Sequence, residues 1–479
     1  MFGLKRLRFV DLGTGLSMMI GTAGLLVTSA LHAADPGCSA PAPCRPTIQG
    51  GGCCDKLYED AAARLRNLNS GSCAPAAAAC AAPAAVCDPA TVFNGCGSGC
   101  NSDTSSGCGL LSGDLGEPFT LISLFDNECG GNRLKDKGWI IGGHSQYGYQ
   151  SNPDGAFAGN GTAVNQPEYR HAYLNQAYLY AAKVADGSKG FDWGFRADVL
   201  FGVDGRDAQA FGNKPSGSWD FNNGFDHGQY SWAFPQLYGE VAMGNLSTKV
   251  GHFYTPIGYE VVPSNGNFFL SRQLTFYNSE PFTHTGSLST YKVNDKLSVL
   301  GGYVLGMDSG FERFNNAGSF LGGFNYAVSD KTAFTYAMIS GNLGWRGIGS
   351  INSAILTHKW TDKFSSVHQF DVLGSDLANN FNVQGGIANN STGLINYGFY
   401  DLTSKLKLGY RNEWYKADGT SYYTNTVGVN IKPTANLTIR PEIRYMNSPG
   451  NEANYVTPGL FNGQLYNQTV YGVDAILTF

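Results

Sequence analysis

Charged and apolar residues alternate along several stretches of this chain, and the charged residues are the ones best placed to act on a ligand or solute. Successive residues of a β-strand point to opposite faces, so each stretch carries one charged face and one apolar face. Between Phe191 and Val203, aromatic and aliphatic residues occupy the odd positions, whereas Asp192, Arg196 and Asp198 occupy even ones. Rows of charged side chains along a polar surface act on ions and solutes that move past them.

The charged residues predicted to share one interior surface are nearly balanced in sign. The positive members are Arg196, Lys249, Lys405, Lys407, Arg411, Arg440 and Arg444, and the negative members are Asp192, Asp198, Glu240, Glu413, Glu442 and Asp474. This balance predicts weak net ion selectivity. The segments 405–416 and 435–446 hold most of the positive residues, which suggests a basic wall with a mild preference for anions. The alternative is that these charges pair across neighbouring strands and only stiffen the wall.

Sixteen stretches are predicted to form the strands that position these residues. They are 139–149, 173–183, 191–203, 235–243, 246–253, 284–292, 296–306, 319–327, 332–341, 350–360, 364–373, 394–402, 405–416, 422–432, 435–446 and 469–479. In the last one, the odd positions from Tyr471 to Phe479 form an apolar face and Asp474 lies on the other face. Alternation alone fits either a soluble sandwich or a membrane barrel with its charges inside.

The segments between these strands distinguish the two architectures, because long and short segments alternate. Long segments such as 150–172 and 204–234 contrast with short ones such as 244–245 and 403–404. Short turns on one rim and long loops on the other are typical of outer-membrane barrels. The sequence therefore predicts an all-β fold, a transmembrane antiparallel up-and-down barrel of about 16 strands. An even strand number places both ends of the barrel domain, 131–479, on the short-turn, periplasmic side.

Three of the short turns resemble one another. They read N-D-K-L at 294–297, S-D-K-T at 329–332 and T-D-K-F at 361–364. Asn, Asp and Ser favour tight turns, since their side chains bond to their own backbone. This similarity supports the assignment of these segments to one rim.

The composition agrees with a barrel. Charged residues make up 14% of the chain, aromatic residues 13%, and 64 of the 479 residues are glycine. Strands between lipid and a polar interior need few charges and many aromatic residues. The mean hydropathy of −0.18 argues against a bundle of long apolar helices. The net charge of −5, without a basic block, argues against nucleic acid as a partner.

The first 33 residues have the pattern of a signal peptide. Lys5, Arg6 and Arg8 form a positive region, and an apolar region follows from Leu16 to Leu31. A retained anchor helix is the alternative, although the apolar run is short for a membrane span. Export to the bacterial outer membrane is therefore predicted.

Residues 34–130 form a cysteine-rich segment of low complexity, predicted to lie in the periplasm. All eleven cysteines occur between Cys38 and Cys129, and an amphipathic helix is predicted near 55–69. Exported chains meet an oxidising compartment, so disulfides are expected, with a connectivity that the sequence leaves open. A zinc site is the weaker alternative, because neither a C-x-x-C pair nor a histidine is present in this segment.

Catalytic motifs are missing from the sequence. It contains no nucleophile elbow, no H-E-x-x-H and no phosphate-binding loop. His284, near Glu280 and Ser287, comes nearest to a hydrolase site, but scattered polar residues in a barrel more often line its interior. No enzymatic activity, metal or cofactor is predicted.

Two motifs and the closing strand carry a family resemblance. V-G-H-F-Y-T-P-I-G-Y-E at 250–260 and P-F-T-H-T-G at 281–286, with the final Phe479, are similar to the OmpL-like β-barrel porin family. The resemblance includes the members with cysteine-rich N-terminal extensions found in planctomycete bacteria, and it covers the chain from about Leu115. It implies an outer-membrane barrel with a pore, but no substrate and no binding residues. The extension at 38–108 goes beyond the family pattern.

Two further segments are predicted to enter the interior. The long loop 254–283 carries Glu260, Arg272 and Glu280 and is a candidate for narrowing the pore, with an exposed surface loop as the alternative. The apolar segment 117–125 is predicted to form a strand or a plug.

The leading functional prediction is a channel for passive diffusion of small hydrophilic solutes or ions. Its expected partners are membrane lipid, those solutes, and further copies of the chain or disulfide-linked neighbours. The alternative is a structural envelope protein that is cross-linked through its cysteine-rich extension.

Overall fold

Sixteen long antiparallel strands, built from the alternating stretches, follow one another around a closed barrel. This computed structural model describes residues 114–127, 131–151, 172–211, 220–376, 389–448 and 467–479. The predicted signal peptide, all eleven cysteines and the predicted helix near 55–69 lie outside the described residues.

The strands agree with the predicted ones to within a few residues at most boundaries. They are β1 (Trp139–Gln150), β2 (Ala172–Lys183), β3 (Phe191–Gly202), β4 (Asp226–His227), β5 (Tyr230–Met243), β6 (Leu246–Tyr254), β7 (Thr283–Lys292), β8 (Leu297–Val304), β9 (Gly318–Ser329), β10 (Thr332–Asn342), β11 (Ile348–Lys359), β12 (Phe364–Ser375), β13 (Asn390–Asp401), β14 (Leu406–Ala417), β15 (Thr420–Ile431), β16 (Leu437–Asn447) and β17 (Asn467–Thr478).

Pairing between the first and last strands closes the barrel. β1 pairs antiparallel with β2 on one side and with β17 on the other, where Gly148 lies opposite Asp474. β4 is a two-residue strand that pairs only with β5, and β3 pairs directly with β5. Sixteen strands therefore form the wall, which confirms the predicted number and the antiparallel topology.

Apolar side chains cover the outside of the wall. Large residues at the predicted outward positions are widely exposed, for example Phe191 (72%), Val250 (58%) and Tyr471 (56%). Charged residues of the opposite parity, such as Arg196 and Asp474, are buried inside. Such an outer face suits lipid, because lipid cannot satisfy polar groups and this face presents apolar ones.

The two rims differ in their connections. Tight turns join the strands at one rim, among them 244–245, 330–331 and 402–405, which we call the short-turn end. Asn294 and Thr361 stabilise two of these turns by accepting hydrogen bonds from backbone N–H groups two or three residues later. Longer connections, such as 305–317, lie at the other rim.

Helices are few and short in the described part of the chain. The α-helices are α1 (Arg133–Asp136) and α2 (Leu274–Asn278). None of the helices among these residues is long and apolar enough to cross a membrane.

The predicted strand or plug at 117–125 is wrong. Residues Leu121–Phe125 form a 3-10 helix, and Leu124 and Phe125 are exposed. The segment contacts the turn between β15 and β16 at the short-turn end, where Leu115 accepts a backbone bond from Ala435 and Phe119 exchanges two bonds with the Asn436 amide. These bonds satisfy backbone groups of Leu115 and Phe119 through a turn, without the segment entering the sheet.

Candidate functional site

The connection between β6 and β7 turns into the barrel. β6 ends at Tyr254, which pairs with Thr283 at the start of β7. Residues 255–282 between them, here called the lumen loop, carry the helix α2. Apolar members such as Phe269 and Leu274 are only 1% exposed, because they pack against inward-facing residues of the wall. The segment therefore turns into the barrel and is not an exposed surface loop.

An arginine on β14 joins the lumen loop to the wall. The Arg411 guanidinium lies 2.7 Å from Glu260 of the loop and 2.8 Å from Glu413 of its own strand. It also donates to the Ser271 carbonyl at 2.7 Å. The Arg411 and Glu413 side chains are fully buried, so removing one partner would leave an unpaired buried charge.

Two wall carboxylates bind the loop backbone. Glu442 on β16 accepts hydrogen bonds from the N–H groups of Leu270 (2.9 Å) and Ser271 (3.1 Å). Glu413 accepts one from Leu274 at 2.6 Å. Because buried N–H groups need partners and charged acceptors make the stronger bonds, these contacts fix the loop at the start of α2.

A second arginine holds the other half of the loop. Arg440 on β16 forms a bidentate ion pair with Asp474 on β17, at 2.9 and 2.5 Å. Its remaining donor reaches the carbonyl groups of Ser264 (3.0 Å) and Asn267 (2.6 Å). A planar guanidinium can form two parallel bonds to a carboxylate and still donate to two carbonyls, whereas a lysine has only three donors and no planar fork.

Neutral wall residues complete the attachment, and sequence reasoning based on charge missed them. Gln369 on β12 donates to Glu280 of the loop at 2.7 Å and accepts from the Tyr259 N–H at 3.0 Å. Tyr397 on β13 donates to Glu260 at 2.9 Å. Strand parity alone would have placed both residues inside the barrel, although nothing in the sequence marks their partners.

The remaining predicted interior residues occupy other parts of the wall. Arg196 pairs with Asp198 at 2.7 Å on β3. Glu240 lies opposite Lys249, whose ammonium is 4.8 Å from the centre of the Phe253 ring.

Three further residues of the predicted set lie on or beside β14 and β16. Lys405 is buried and lies in the turn, one residue before β14 begins, although the predicted strand 405–416 included it. Lys407 is 3.4 Å from Asp401. Arg444 is buried on β16.

These contacts change the interpretation of two arginines in the predicted basic wall. Arg411 and Arg440 are engaged by buried carboxylates and by loop carbonyl groups. Their charges are largely neutralised in place, because opposite charges at 2.5–2.8 Å cancel each other's field at a distance. The structure thus favours the alternative in which these charges pair, and it adds the lumen loop as a partner.

Glycines on the wall make room for the loop. A Cβ atom at Gly409 would collide with the Phe268 ring, and one at Gly393 would collide with Thr275. At Gly428 and Gly472, the Cβ atom would lie 3.1 Å from Phe269 and Leu270. The lumen loop therefore packs closely against the wall at positions where the wall residue is glycine.

We expect the variant Gly409→Ala to displace Phe268 and loosen the lumen loop. Overpacking of this kind costs about 1–3 kcal/mol, which urea unfolding in lipid vesicles can measure. Gly398→Ala on β13 is the matched control, because its Cβ atom would make an ordinary contact of 3.6 Å with Phe364. Equal stability of the two variants would show that the loop is not packed against Gly409.

The histidine considered for a hydrolase site makes structural contacts in this part of the chain. Among the described residues, no three His, Cys, Asp or Glu side chains are grouped to hold a metal ion. His284, considered above for a hydrolase site, bonds through one ring nitrogen to the Gly306 carbonyl and through the other to Thr255. Both nitrogens therefore serve structural contacts.

One protein family and several solved structures are similar to this chain. The family model described as "Putative beta-barrel porin-2, OmpL-like" matches residues 137–479. No curated protein matches. Similar solved structures include the outer membrane channel DcaP of Acinetobacter baumannii, with 10% identity, coverage of 71% of this chain and 97% of that one, and a TM-score of 0.47. Another is an anion-selective porin from Comamonas acidovorans, with 8% identity, coverage of 71% and 99%, and a TM-score of 0.44.

Proposed function

We propose that this chain, which belongs to the OmpL-like β-barrel porin family, lets small hydrophilic solutes or ions diffuse through the bacterial outer membrane. These solutes would pass beside the lumen loop. A barrel of this strand number is wide enough to hold an aqueous passage. The loop occupies part of that width, so the passage admits only small solutes.

The observation that carries the proposal is the attachment of the lumen loop to the far wall. Arg411, Arg440 and Glu442 bind its backbone or side chains from β14 and β16, across the interior from β6 and β7. A segment fixed in this way sets the width of the passage, because its packed and ion-paired contacts hold it in one position. Family membership favours this channel over the alternative of a cross-linked structural protein.

The orientation of the chain is part of the proposal. The short-turn end faces the periplasm, as in other outer-membrane barrels, and both described ends of the barrel lie there. The cysteine-rich segment 34–130, with its disulfides, would then be periplasmic, following a signal peptide at 1–33. Membrane lipid surrounds the barrel, and other copies of the chain are candidate neighbours.

Ion conductance across planar lipid bilayers tests the proposal. We expect the purified full chain to produce stable, stepwise currents in potassium chloride, and heat-denatured protein to produce none. Bilayers that stay silent, although the protein has inserted as a folded barrel, would overturn the channel function.

A further inference from the structure

A cavity of about 650 Å³ lies at the short-turn end of the barrel, below the lumen loop. The turns between β9 and β10, β11 and β12, and β13 and β14 surround it. Its upper wall is the tip of the loop, where Asn265 and Gly266 are exposed although the neighbouring Ser264 is buried. A solute that arrives from this end would therefore meet the loop at the top of the cavity.

The cavity has an excess of positive charge. Its lysines are Lys331, Lys359, Lys363, Lys405, Lys407 and Lys432, and its acidic residues are Asp330, Asp362 and Asp401. Six lysines and three aspartates thus line one open cavity.

Two of the aspartates are already matched by lysines. Lys359 lies 3.1 Å from Asp362, and this hydrogen bond lowers the pKa of the Asp362 carboxyl below its usual value. Lys407 lies 3.4 Å from Asp401. The lysines at three different turns, Lys331, Lys363 and Lys432, are exposed toward solvent, so they can approach a ligand.

The arrangement favours anions with more than one charge. Lysines on separate turns can each approach a different oxygen of one ligand, since an ammonium group is a compact charge on a flexible stem. A concave surface with one sign of charge concentrates the opposite ion. At the upper wall, the Asn265 side chain adds neutral donors for oxygen atoms.

We propose that this cavity is a binding site for a small polyvalent oxyanion at the short-turn end of the passage. The inference rests on the proposed function for its biological meaning, because the bound anion would be a solute entering or leaving the channel. The charges that select it lie in the turns, whereas the arginines of the wall are occupied by the lumen loop.

Calorimetric titration of the full chain in detergent with sodium pyrophosphate tests the site. We expect saturable binding that weakens as ionic strength rises, and that falls by about tenfold or more in the triple variant K331Q/K363Q/K432Q. The control K189Q/K292Q/K296Q removes the same charge from the same end, at exposed residues in or beside turns outside the cavity, and should bind as the unmodified chain does. Absence of pyrophosphate binding, or an equal loss in both triple variants, would overturn the site.

The outcome can be separated from that of the proposed function. Conductance in potassium chloride is recorded without pyrophosphate, so a conducting channel that fails to bind it disproves only the site. Binding by a barrel that does not conduct disproves the channel and leaves the site in place. In a conducting channel, we expect pyrophosphate to reduce the current more strongly from the short-turn side, and equal effects from both sides would contradict the location.

Discussion

Removing the lumen loop is expected to widen the passage. A variant in which a short Gly-Ser linker replaces residues 262–278 loses α2 and the loop contacts with Arg440 and Glu442. Water then fills the space beside β14 and β16, and the wall arginines and carboxylates face it. We expect liposomes that contain this variant to admit larger neutral sugars than liposomes with the full chain, with swelling rates for a small sugar at least about twofold higher.

The control for this deletion must remove loop residues that lie away from the attachment. Replacing residues 312–316, in the connection between β8 and β9 at the rim opposite the short-turn end, serves this purpose. It should leave the size limit unchanged. An unchanged size limit in the 262–278 variant, with the barrel still folded, would show that the loop does not restrict passage.

Replacing Arg411 is expected to have the second largest effect. In Arg411→Met, the carboxylates of Glu260 and Glu413 remain in a site that is almost completely buried, without the guanidinium that lies 2.7–2.8 Å from them. Leaving a buried charge unpaired costs about 3–5 kcal/mol. We expect the free energy of unfolding in lipid vesicles to fall by about that amount, and the conductance to become larger and noisier as the loop detaches.

Two further variants show whether the cost arises from the buried charges. Lys416→Met lies on the same strand at an exposed position and should change the free energy of unfolding by no more than about 0.5 kcal/mol. The double variant Arg411→Met with Glu260→Gln should recover part of the loss, because one unpaired carboxylate becomes neutral. If Arg411→Met were as stable as Lys416→Met, the ion pairs would not hold the loop.

Local alternation, together with the rhythm of long and short connections, was sufficient to predict the wall of the barrel. Strands such as Phe191–Gly202 bury every second residue, so the sequence determines both the strand and the face that meets lipid. The number of strands followed from the rhythm of turns and loops. Neither inference needs knowledge of contacts between distant residues.

The attachment of the lumen loop could not be predicted in the same way. Arg411 and Glu260 are 151 residues apart, and their contact exists only because the barrel closes and the loop turns inward. Before closure, Arg411 is one charge in a row of charges, and its parity gives the correct face but no partner. Gly409 likewise looks like an ordinary strand glycine until the Phe268 ring is placed against it.

The cavity at the short-turn end illustrates the same limit. The repeated turns S-D-K-T and T-D-K-F indicated tight turns, because Asp and Ser bond to nearby backbone groups. Their lysines, Lys331 and Lys363, line one cavity only after the barrel brings their turns together. Lys296, from the third similar turn, lies outside that cavity.

Single-channel recording of the full chain beside the 262–278 variant tests the central claim most directly. The claim is that the lumen loop, held by Arg411 and Arg440, sets the width of a conducting passage. It predicts discrete steps from both proteins in the same bilayers, with the unit conductance of the loop-deleted variant at least about twofold larger. Equal unit conductances from two folded and inserted proteins would contradict it.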